Sequence, residues 1–199
     1  MNIADYISQF KRLFPEASAQ EPWNVTAGLC KLIETRIKNL GDDFQVSGNM
    51  AIHKEAIIEQ GVIIKGPVII ESGVFIGAHA YIRGGAYLGA EVSIGPGCEI
   101  KSSLLMAKTS VAHFNFVGDS ILGENINMEA GSIIANYHND RDDKTIIVKI
   151  GGNIFRTSAR KFGALVGDGC KIGANAVLSP GTILEKNTIV HRLELVRQT

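Results

Sequence analysis

The sequence repeats an aliphatic residue at every sixth position from residue 46 to residue 100. The members of this run are Val46, Ile52, Ile58, Ile64, Ile70, Ile76, Ile82, Leu88, Ile94 and Ile100. A six-residue period is typical of a parallel β-helix, in which each hexad forms one short strand and a turn, and three hexads close a coil of about 18 residues. A single coil cannot cover its own apolar interior, so coils must stack on one another. The period therefore predicts an all-β solenoid.

The bulk composition argues against two classes of partner. The 199 residues contain 20 Lys and Arg and 20 Asp and Glu, so the formal net charge is zero. A balanced charge is not typical of general nucleic-acid or membrane-surface binders. No apolar run approaches the ~20 residues of a membrane span, and the N-terminus lacks the apolar core of a signal peptide. We therefore expect a cytoplasmic protein with no nucleic-acid or membrane partner.

Residues 1–45 do not follow the hexad and form the first predicted unit. Their apolar residues recur at helical spacing, first at Ile3, Ile7, Phe10 and Phe14. Pro15 ends that run, and a second helix begins at a cap on Asn24 or Thr26 and ends at Gly41. An amphipathic helical segment can cover the open end of a solenoid. We therefore predict an N-terminal helical capping segment without a catalytic role.

Residues 46–199 form the second predicted unit, the β-helix itself, and two breaks interrupt it. Met106 leads to Val117 after eleven residues rather than twelve, which predicts a first break between them. The second break covers residues 138–162. Its residues alternate around Gly151-Gly152-Asn153 and predict a β-hairpin that projects from the solenoid. Because loops on a rigid scaffold often carry functional residues, we expect function at these breaks.

His113 lies inside the first break and is the histidine best placed for chemistry. A neutral imidazole near pH 7 is the usual general base of enzymes. The zinc-binding γ-class carbonic anhydrases, which share the hexad, use two histidines about five residues apart, whereas Gly118 stands five residues after His113. We therefore expect no metal in this protein.

Two stretches resemble a known family. HFNFVGDSILGENINMEAGSIIANY is similar to the C-terminal acetyltransferase domain of bifunctional UDP-N-acetylglucosamine pyrophosphorylase/glucosamine-1-phosphate N-acetyltransferases. ARKFGALVGDGCKIGANAVLSPG resembles the archaeal-type sugar-nucleotidylyltransferase branch, which carries a comparable hairpin. The resemblance covers roughly residues 76 to 190. It implies a left-handed β-helix, a homotrimer with sites between subunits, acetyl-CoA as co-substrate and a place in nucleotide-sugar biosynthesis. The 45 residues before the solenoid are too few for the pyrophosphorylase domain.

The resemblance also implies roles for individual residues. His113 matches the general base, and Ala130 supplies backbone that faces the thioester and the coenzyme. The implied substrate residues are Arg83, Lys101, Phe116, Asn127, Asn136 and Tyr137. Arg83 and Lys101, 18 residues apart, should stack on adjacent coils as a phosphate site, although two solvated charges remain the alternative. The candidates for the phosphates of the coenzyme are Lys186, Arg192 and Arg197.

Two departures from the family pattern bear on the substrate more than on the reaction. Phe116 stands where the family has a tyrosine, and Glu129 puts a carboxylate beside the expected thioester site. We predict an acetyl-CoA-dependent N-acetyltransferase that acts on an amino-sugar 1-phosphate of the glucosamine or galactosamine kind. The alternative is a non-catalytic trimer that binds a sugar phosphate or serves in regulation. Release of thiol from acetyl-CoA distinguishes the two.

Overall fold

A computed structural model describes residues 1–197 of the chain, most of which form a solenoid of short strands. The strands are β1 (Phe44–Ser47), β2 (Met50–His53), β3 (Ile57–Ile58), β4 (Ile63–Ile64), β5 (Val68–Ile70), β6 (Phe75–Ile76), β7 (Tyr81–Leu88), β8 (Ser93–Ile94), β9 (Glu99–Leu105), β10 (Ser110–Val111), β11 (Phe116–Gly118), β12 (Ile121–Leu122), β13 (Asn127–Met128), β14 (Ile133–Ile134), β15 (Ile147–Ile150), β16 (Asn153–Arg156), β17 (Ala164–Val166), β18 (Lys171–Ile172), β19 (Val177–Leu178), β20 (Thr182–Leu184), β21 (Ile189–Val190) and β22 (Leu195–Val196).

The solenoid strands stack in parallel into the three faces of a prism. One face is a seven-stranded sheet in the order β21-β18-β13-β10-β8-β6-β3. The other two faces merge into a 13-stranded sheet because β7 and β9 continue around a shared edge. Aliphatic hexad residues fill the interior as one buried cluster that extends from Val68 to Val190. The left-handed parallel β-helix that the sequence predicts is confirmed.

The two faces of the larger sheet differ in what covers them. We call the surface of β4, β11, β14, β19, β22 and the first parts of β7 and β9 the open face. We call the surface of β2, β5, β12, β17, β20 and the last parts of β7 and β9 the helix-covered face. The seven-stranded face and the open face are left for contacts with other molecules.

The hexad register departs from the prediction at two positions. Val46 lies on β1, which pairs antiparallel with β2 and leaves Val46 55% exposed, so the parallel coils begin at Met50 rather than at Val46. Leu105, and not Met106, points into the solenoid. Met106 is also fully buried, but it packs in a second cluster outside the coils.

The shortened steps of the solenoid therefore lie elsewhere than predicted. The interior residues pass from Ile100 to Leu105 and from Val117 to Leu122 in five positions each. Two regular hexads separate Leu105 from Val117, so the turn that contains His113 is regular. The prediction of a break at His113 is wrong, because both shortened steps occur where the open face meets the helix-covered face.

The N-terminal segment forms short helices that pack along one side of the prism. They are α1 (Ile3–Tyr6), α2 (Phe10–Leu13), a 3-10 turn (Pro15–Ala17), α3 (Pro22–Ala27) and α4 (Leu29–Ile37). These helices bury a ladder of outward-facing residues that comprises Ala51, Ile69, Tyr87, Leu104, Ile121 and Leu165. The helical segment therefore covers one side of the solenoid, and not its open end as the sequence predicts. The ladder is an apolar stripe along the coils, and the helices remove it from water.

The helices are shorter than the periodicity suggests. Pro22 starts α3 at its first position, and Gly28 separates α3 from α4, so neither Asn24 nor Thr26 caps a helix. The longest helix, α4, has nine residues. Within the described residues, no helix is both long and apolar enough to cross a membrane.

The predicted hairpin forms from β15 and β16, which pair antiparallel around Gly151-Gly152. It lies against the solenoid, whereas the sequence predicts that it projects. Ile146 and Val148 are fully buried and join the cluster under the helices. The insertion ends at Phe162, whose ring centroid is 6.0 Å from that of Trp23. Apolar and polar residues alternate along the hairpin, so one of its sides is apolar. Burial of that apolar side holds the hairpin on the coils.

Candidate functional site

Five of the predicted substrate residues line one cavity at an edge of the prism. The cavity has a volume of about 840 Å³ and lies where the open face meets the helix-covered face, and we call it the corner cavity. The predicted residues in its wall are Arg83, Lys101, Phe116, Asn136 and Tyr137. Arg83 and Lys101 are register partners on adjacent coils, as their spacing predicts. The volume is in the usual range of small-molecule sites.

Asp119 connects the polar groups of the corner cavity. Its carboxylate accepts a hydrogen bond from the Lys101 ammonium at 2.5 Å and another from the Asn136 amide. The Lys101 and Asp119 side chains are 14% and 11% exposed, so water screens their attraction little. Arg83 is also paired, because its Nε and Nη2 lie 2.7 and 2.6 Å from Glu99. Both predicted phosphate cations therefore already contact a carboxylate.

The shortened steps of the solenoid place Asp119 in this position. Ser102 and Asp119 make the turns with φ of 48° and 46°, in the left-handed region that side chains rarely adopt. The Asp119 N–H donates to the Lys101 carbonyl at 2.8 Å, and the Asp119 carbonyl accepts from Gly163 N–H at 2.9 Å. These two bonds hold the turn and aim the carboxylate at Lys101.

Gly118 makes room for the cavity. It is the register partner of Lys101 on the next coil. A Cβ at this position would lie 2.7 Å from the Phe116 ring and 2.8 Å from Asn136. The absence of a side chain at Gly118 therefore lets Phe116 and Asn136 meet in the cavity wall.

The other edge of the open face carries His113. Equivalent turns of four successive coils there hold His113, Ala130, Ala174 and Arg192, and we call this column the turn ladder. Backbone hydrogen bonds of 2.8, 3.0 and 3.0 Å join the column, from the nitrogens of Gly131, Asn175 and Leu193 to the carbonyls of His113, Ala130 and Ala174. His113 thus stacks directly next to Ala130, the two residues predicted to act at the thioester.

Two groups of the turn ladder are available to a ligand. His113 is exposed, and its side chain forms no hydrogen bond within residues 1–197. The Ala130 N–H likewise has no acceptor in that part of the chain. An imidazole and a backbone N–H donor are therefore presented side by side on adjacent coils.

Glu129 connects its own turn of the turn ladder to the two turns that follow. Its carboxylate accepts two hydrogen bonds from Arg192 at 2.8 and 2.7 Å and one from the Ala174 N–H at 2.8 Å. The Arg192 hydrogen bond, followed by that of Ala174, holds the pKa of Glu129 below its usual range. Asn127, Glu129 and Arg192 line a cavity of about 460 Å³ that borders the seven-stranded face. Asn127 therefore lies apart from the corner cavity of the same chain.

The three predicted coenzyme cations lie at three separate places. Arg192 is on the turn ladder. Lys186 is at the edge between the helix-covered and seven-stranded faces, where its ammonium donates to the Ser8 hydroxyl at 2.8 Å. Arg197 lines a further cavity of about 630 Å³ between the hairpin and the open face. One phosphate group of a coenzyme cannot contact all three within one chain.

The sequence patterns do not identify the other five residues of the corner cavity. These are Ala27, Asp119, Ala159, Arg160 and Lys161. Asp119 belongs to the family-like stretch that begins at His113, and Arg160-Lys161 form the charged end of the insertion. Both stretches can be recognised in the sequence, but no feature of the sequence indicates that they lie at the same cavity in the fold. As to metals, residues 1–197 contain no group of three His, Cys, Asp or Glu side chains placed to hold one ion.

Known proteins match most of this chain. Residues 64–158 match the family described as GMPPB C-terminal domain, and residues 163–191 match the hexapeptide repeat of succinyl-transferase. The chain is 41% identical over 173 residues to the bifunctional protein GlmU of Methanococcus maripaludis. It is 32% identical over 166 residues to a bifunctional sugar-1-phosphate nucleotidylyltransferase/acetyltransferase of Sulfurisphaera tokodaii. These matches cover 85% and 81% of this chain but 41% of each relative, so the chain spans about two fifths of their length.

Proposed function

We propose that this chain transfers an acetyl group from acetyl-CoA to an amino-sugar 1-phosphate. Its match to the hexapeptide repeat and its similarity to the C-terminal parts of these bifunctional proteins support the proposal. One observation supports the proposal: the open face has the cavity of predicted substrate residues at one edge and the column that contains His113 and Ala130 at the other. The corner cavity gathers five residues suited to a sugar phosphate, and the turn ladder stacks His113 on Ala130. The name of the Sulfurisphaera relative includes acetyltransferase activity.

In the proposed reaction, His113 and the Ala130 backbone act on the reacting atoms. The sugar amine attacks the thioester carbonyl, the C–S bond breaks, and the thiolate of the coenzyme leaves. His113 takes the proton that the nitrogen loses and can pass it to the departing thiolate. The Ala130 N–H, which has no acceptor within residues 1–197, donates to the oxyanion, an interaction often worth ~3 kcal/mol. Lys101 and Asn136 hold the substrate in a reactive orientation.

The proposal includes a homotrimer. The helices and the hairpin cover one face of each prism, so the seven-stranded and open faces are the ones left free for subunit contacts. The corner cavity and the turn ladder occupy opposite edges of the open face in one chain. A second copy can therefore bring its turn ladder to the cavity of the first, and closed symmetry repeats that contact. Light scattering should give three times the mass of the chain, and a monomer at micromolar concentration would contradict this arrangement.

A screen for thiol release tests the reaction. Acetyl-CoA is incubated with the protein and with glucosamine, galactosamine or the 1-phosphate of either sugar. We expect release with a 1-phosphate and little with the unphosphorylated sugars. Mass spectrometry of the product should find one acetyl group on nitrogen. The absence of release with every amino-sugar phosphate would contradict the proposal.

A non-catalytic sugar-phosphate binder is the second candidate. The observation that favours it is the bidentate contact between Glu129 and Arg192, which occupies a predicted coenzyme cation. Calorimetry separates the two candidates, because a binder takes up the sugar phosphate without measurable affinity for acetyl-CoA. Binding of both ligands favours the acetyltransferase.

A further inference from the structure

Phe114, the residue after His113, combines two unfavourable features. Its side chain is 73% exposed, which makes it the most exposed aromatic residue in the part of the chain that the structure describes. Its φ is 53°, in the left-handed region, where a bulky side chain is an outlier. An exposed ring buries little apolar surface, and the backbone conformation costs free energy. The stability of the fold therefore does not explain Phe114.

Equivalent turns of other coils mostly carry residues that suit a positive φ. The residues at this position are His79, Gly97, Gly131, Asn175 and Leu193. Glycine, asparagine and histidine adopt the left-handed region more readily than other residues do. Leu193, which is 78% exposed, is the other exception and lies three coils after Phe114. Of these two exposed apolar side chains, only that of Phe114 adjoins His113.

Neighbouring groups hold the Phe114 turn in its conformation. The Phe114 N–H donates to the Pro96 carbonyl at 3.2 Å. Asn115 follows and is 2% exposed, and its amide donates to the Glu129 carbonyl at 2.7 Å and to the Ser132 hydroxyl at 2.6 Å. Strained residues persist where the surrounding structure over-determines them, and they cluster at binding and catalytic sites. The fold thus fixes an exposed aromatic ring in place.

The Phe114 ring lies on the side of His113 opposite to Ala130. A Cβ on Gly97 would be 2.6 Å from the ring, and Gly97 belongs to the coil before His113. Ala130 belongs to the coil after His113. A coenzyme bound at Ala130 and the later turns therefore leaves the Phe114 side of the imidazole for the acceptor.

We infer that the Phe114 ring stacks on the apolar C–H face of the acceptor sugar and so selects a pyranose over other phosphorylated amines. The inference rests on the proposed function, because it takes the acceptor to be an amino sugar. The face of an aromatic ring carries partial negative charge, to which the C–H groups of a pyranose present partial positive charge. A ring that is already held in place makes this contact at little cost in entropy. In the proposed trimer, the sugar lies between this ring and the corner cavity of a second copy.

Calorimetry on the full chain tests the inference with ligands that differ in one feature. Glucosamine 1-phosphate contains the pyranose, whereas 2-aminoethyl phosphate has an amine and a phosphate without a sugar ring. Acetyl-CoA is the third ligand. F114N removes the aromatic ring without added strain, because asparagine tolerates a φ of 53°. F114Y keeps the ring. L193N is the matched control, since it replaces the other exposed apolar residue of the same column.

We expect F114N to bind glucosamine 1-phosphate about three- to tenfold more weakly, the range that one aromatic contact contributes. Its affinities for 2-aminoethyl phosphate and acetyl-CoA should not change, and its Tm should not fall. F114Y and L193N should bind glucosamine 1-phosphate as the wild type does.

Three results would overturn the inference. The first is unchanged affinity of folded F114N for glucosamine 1-phosphate. The second is an equal loss of affinity for 2-aminoethyl phosphate or acetyl-CoA. The third is a lower mass of F114N in light scattering, which would assign the ring to contacts between subunits. Failure of the proposed function is a separate result, because it appears as a wild type that binds the sugar phosphate without releasing thiol.

Discussion

The corner cavity and the turn ladder share one face of the prism but are built in opposite ways. The turn ladder repeats a single hexad turn through four coils and is joined by a continuous column of backbone hydrogen bonds. The corner cavity is assembled from α3, two shortened turns and the end of an insertion, which are far apart in the sequence. The regular edge presents an imidazole and a backbone N–H donor. The irregular edge presents charged side chains that come from separate elements of the fold.

The ion pairs of the two regions differ in how far they are exposed to solvent. Lys101 and Asp119 are shielded, with side chains 14% and 11% exposed. Arg192 and Glu129 are 73% and 36% exposed, so water and salt screen them. Disruption of the shielded pair should therefore have large consequences, and disruption of the exposed pair should have small ones.

The largest expected effect is at His113. H113N should lower kcat by ~10²–10⁴, the usual contribution of a general base. The Tm should not change, because the His113 side chain forms no hydrogen bond within the described residues. Steady-state kinetics and thermal melting measure the two quantities.

His79 provides the control for that variant. It is an exposed histidine on the same edge of the prism, two coils before His113. Its φ of 61° is one that asparagine tolerates. H79N should leave kcat unchanged. If H113N and H79N are equally active, positioning alone drives the reaction and the turn ladder supplies no base.

The next effect is at the shielded pair of the corner cavity. K101A should weaken binding of the sugar 1-phosphate by ~1.5–3 kcal/mol and also lower stability, because Asp119 is left with a poorly compensated charge. Adding D119N should restore the stability but not the affinity. Calorimetry and denaturant melts of the single and double variants separate these terms. If K101A binds the sugar phosphate as the wild type does, Lys101 has only a structural role.

The space at Gly118 predicts a smaller effect on stability. G118A should cost ~1–3 kcal/mol, because its Cβ meets the Phe116 ring and Asn136 and forces them to move. Denaturant unfolding measures the loss. G41A is the control, since a Cβ on Gly41 meets no atom within 4 Å. Equal stability of G118A and G41A would mean that the cavity wall is easily displaced.

The same contrast explains what could be predicted from the sequence. The interior of the coils was predictable because one period determines it, and the structure buries these residues from Val68 onward. The family-like stretch identifies His113, but the hexads on either side of it are regular, so the break predicted there is wrong. Leu105 and Met106 are both apolar and both buried, one inside the coils and one under the helices. The hexad period of one sequence cannot distinguish a residue buried inside the coils from a residue on the outer surface of the coils that the helices bury.

The corner cavity was only half predictable for a different reason. Arg83, Lys101 and Asn136 were identified through a repeat and a resemblance, both of which are local in the sequence. Arg160 and Ala27 reach the cavity through long-range packing of the hairpin and the helices on the coils. No period or motif in the sequence indicates that packing, because the helices and the hairpin pack on whichever face of the folded prism is apolar.

The smallest effect is expected at the exposed pair of the turn ladder. E129Q should bind acetyl-CoA a few-fold more tightly, because Arg192 loses its carboxylate partner and becomes available to a phosphate of the coenzyme. The hydrogen bond of Arg192 holds the pKa of Glu129 below its usual range, so the pair persists at neutral pH and is lost only as the pH falls through that lowered pKa. Calorimetry at low and high salt measures the change, with R192Q as the opposite case. Weaker acetyl-CoA binding by E129Q would mean that Glu129 itself orients the coenzyme, and the exposed pair would then be part of the site.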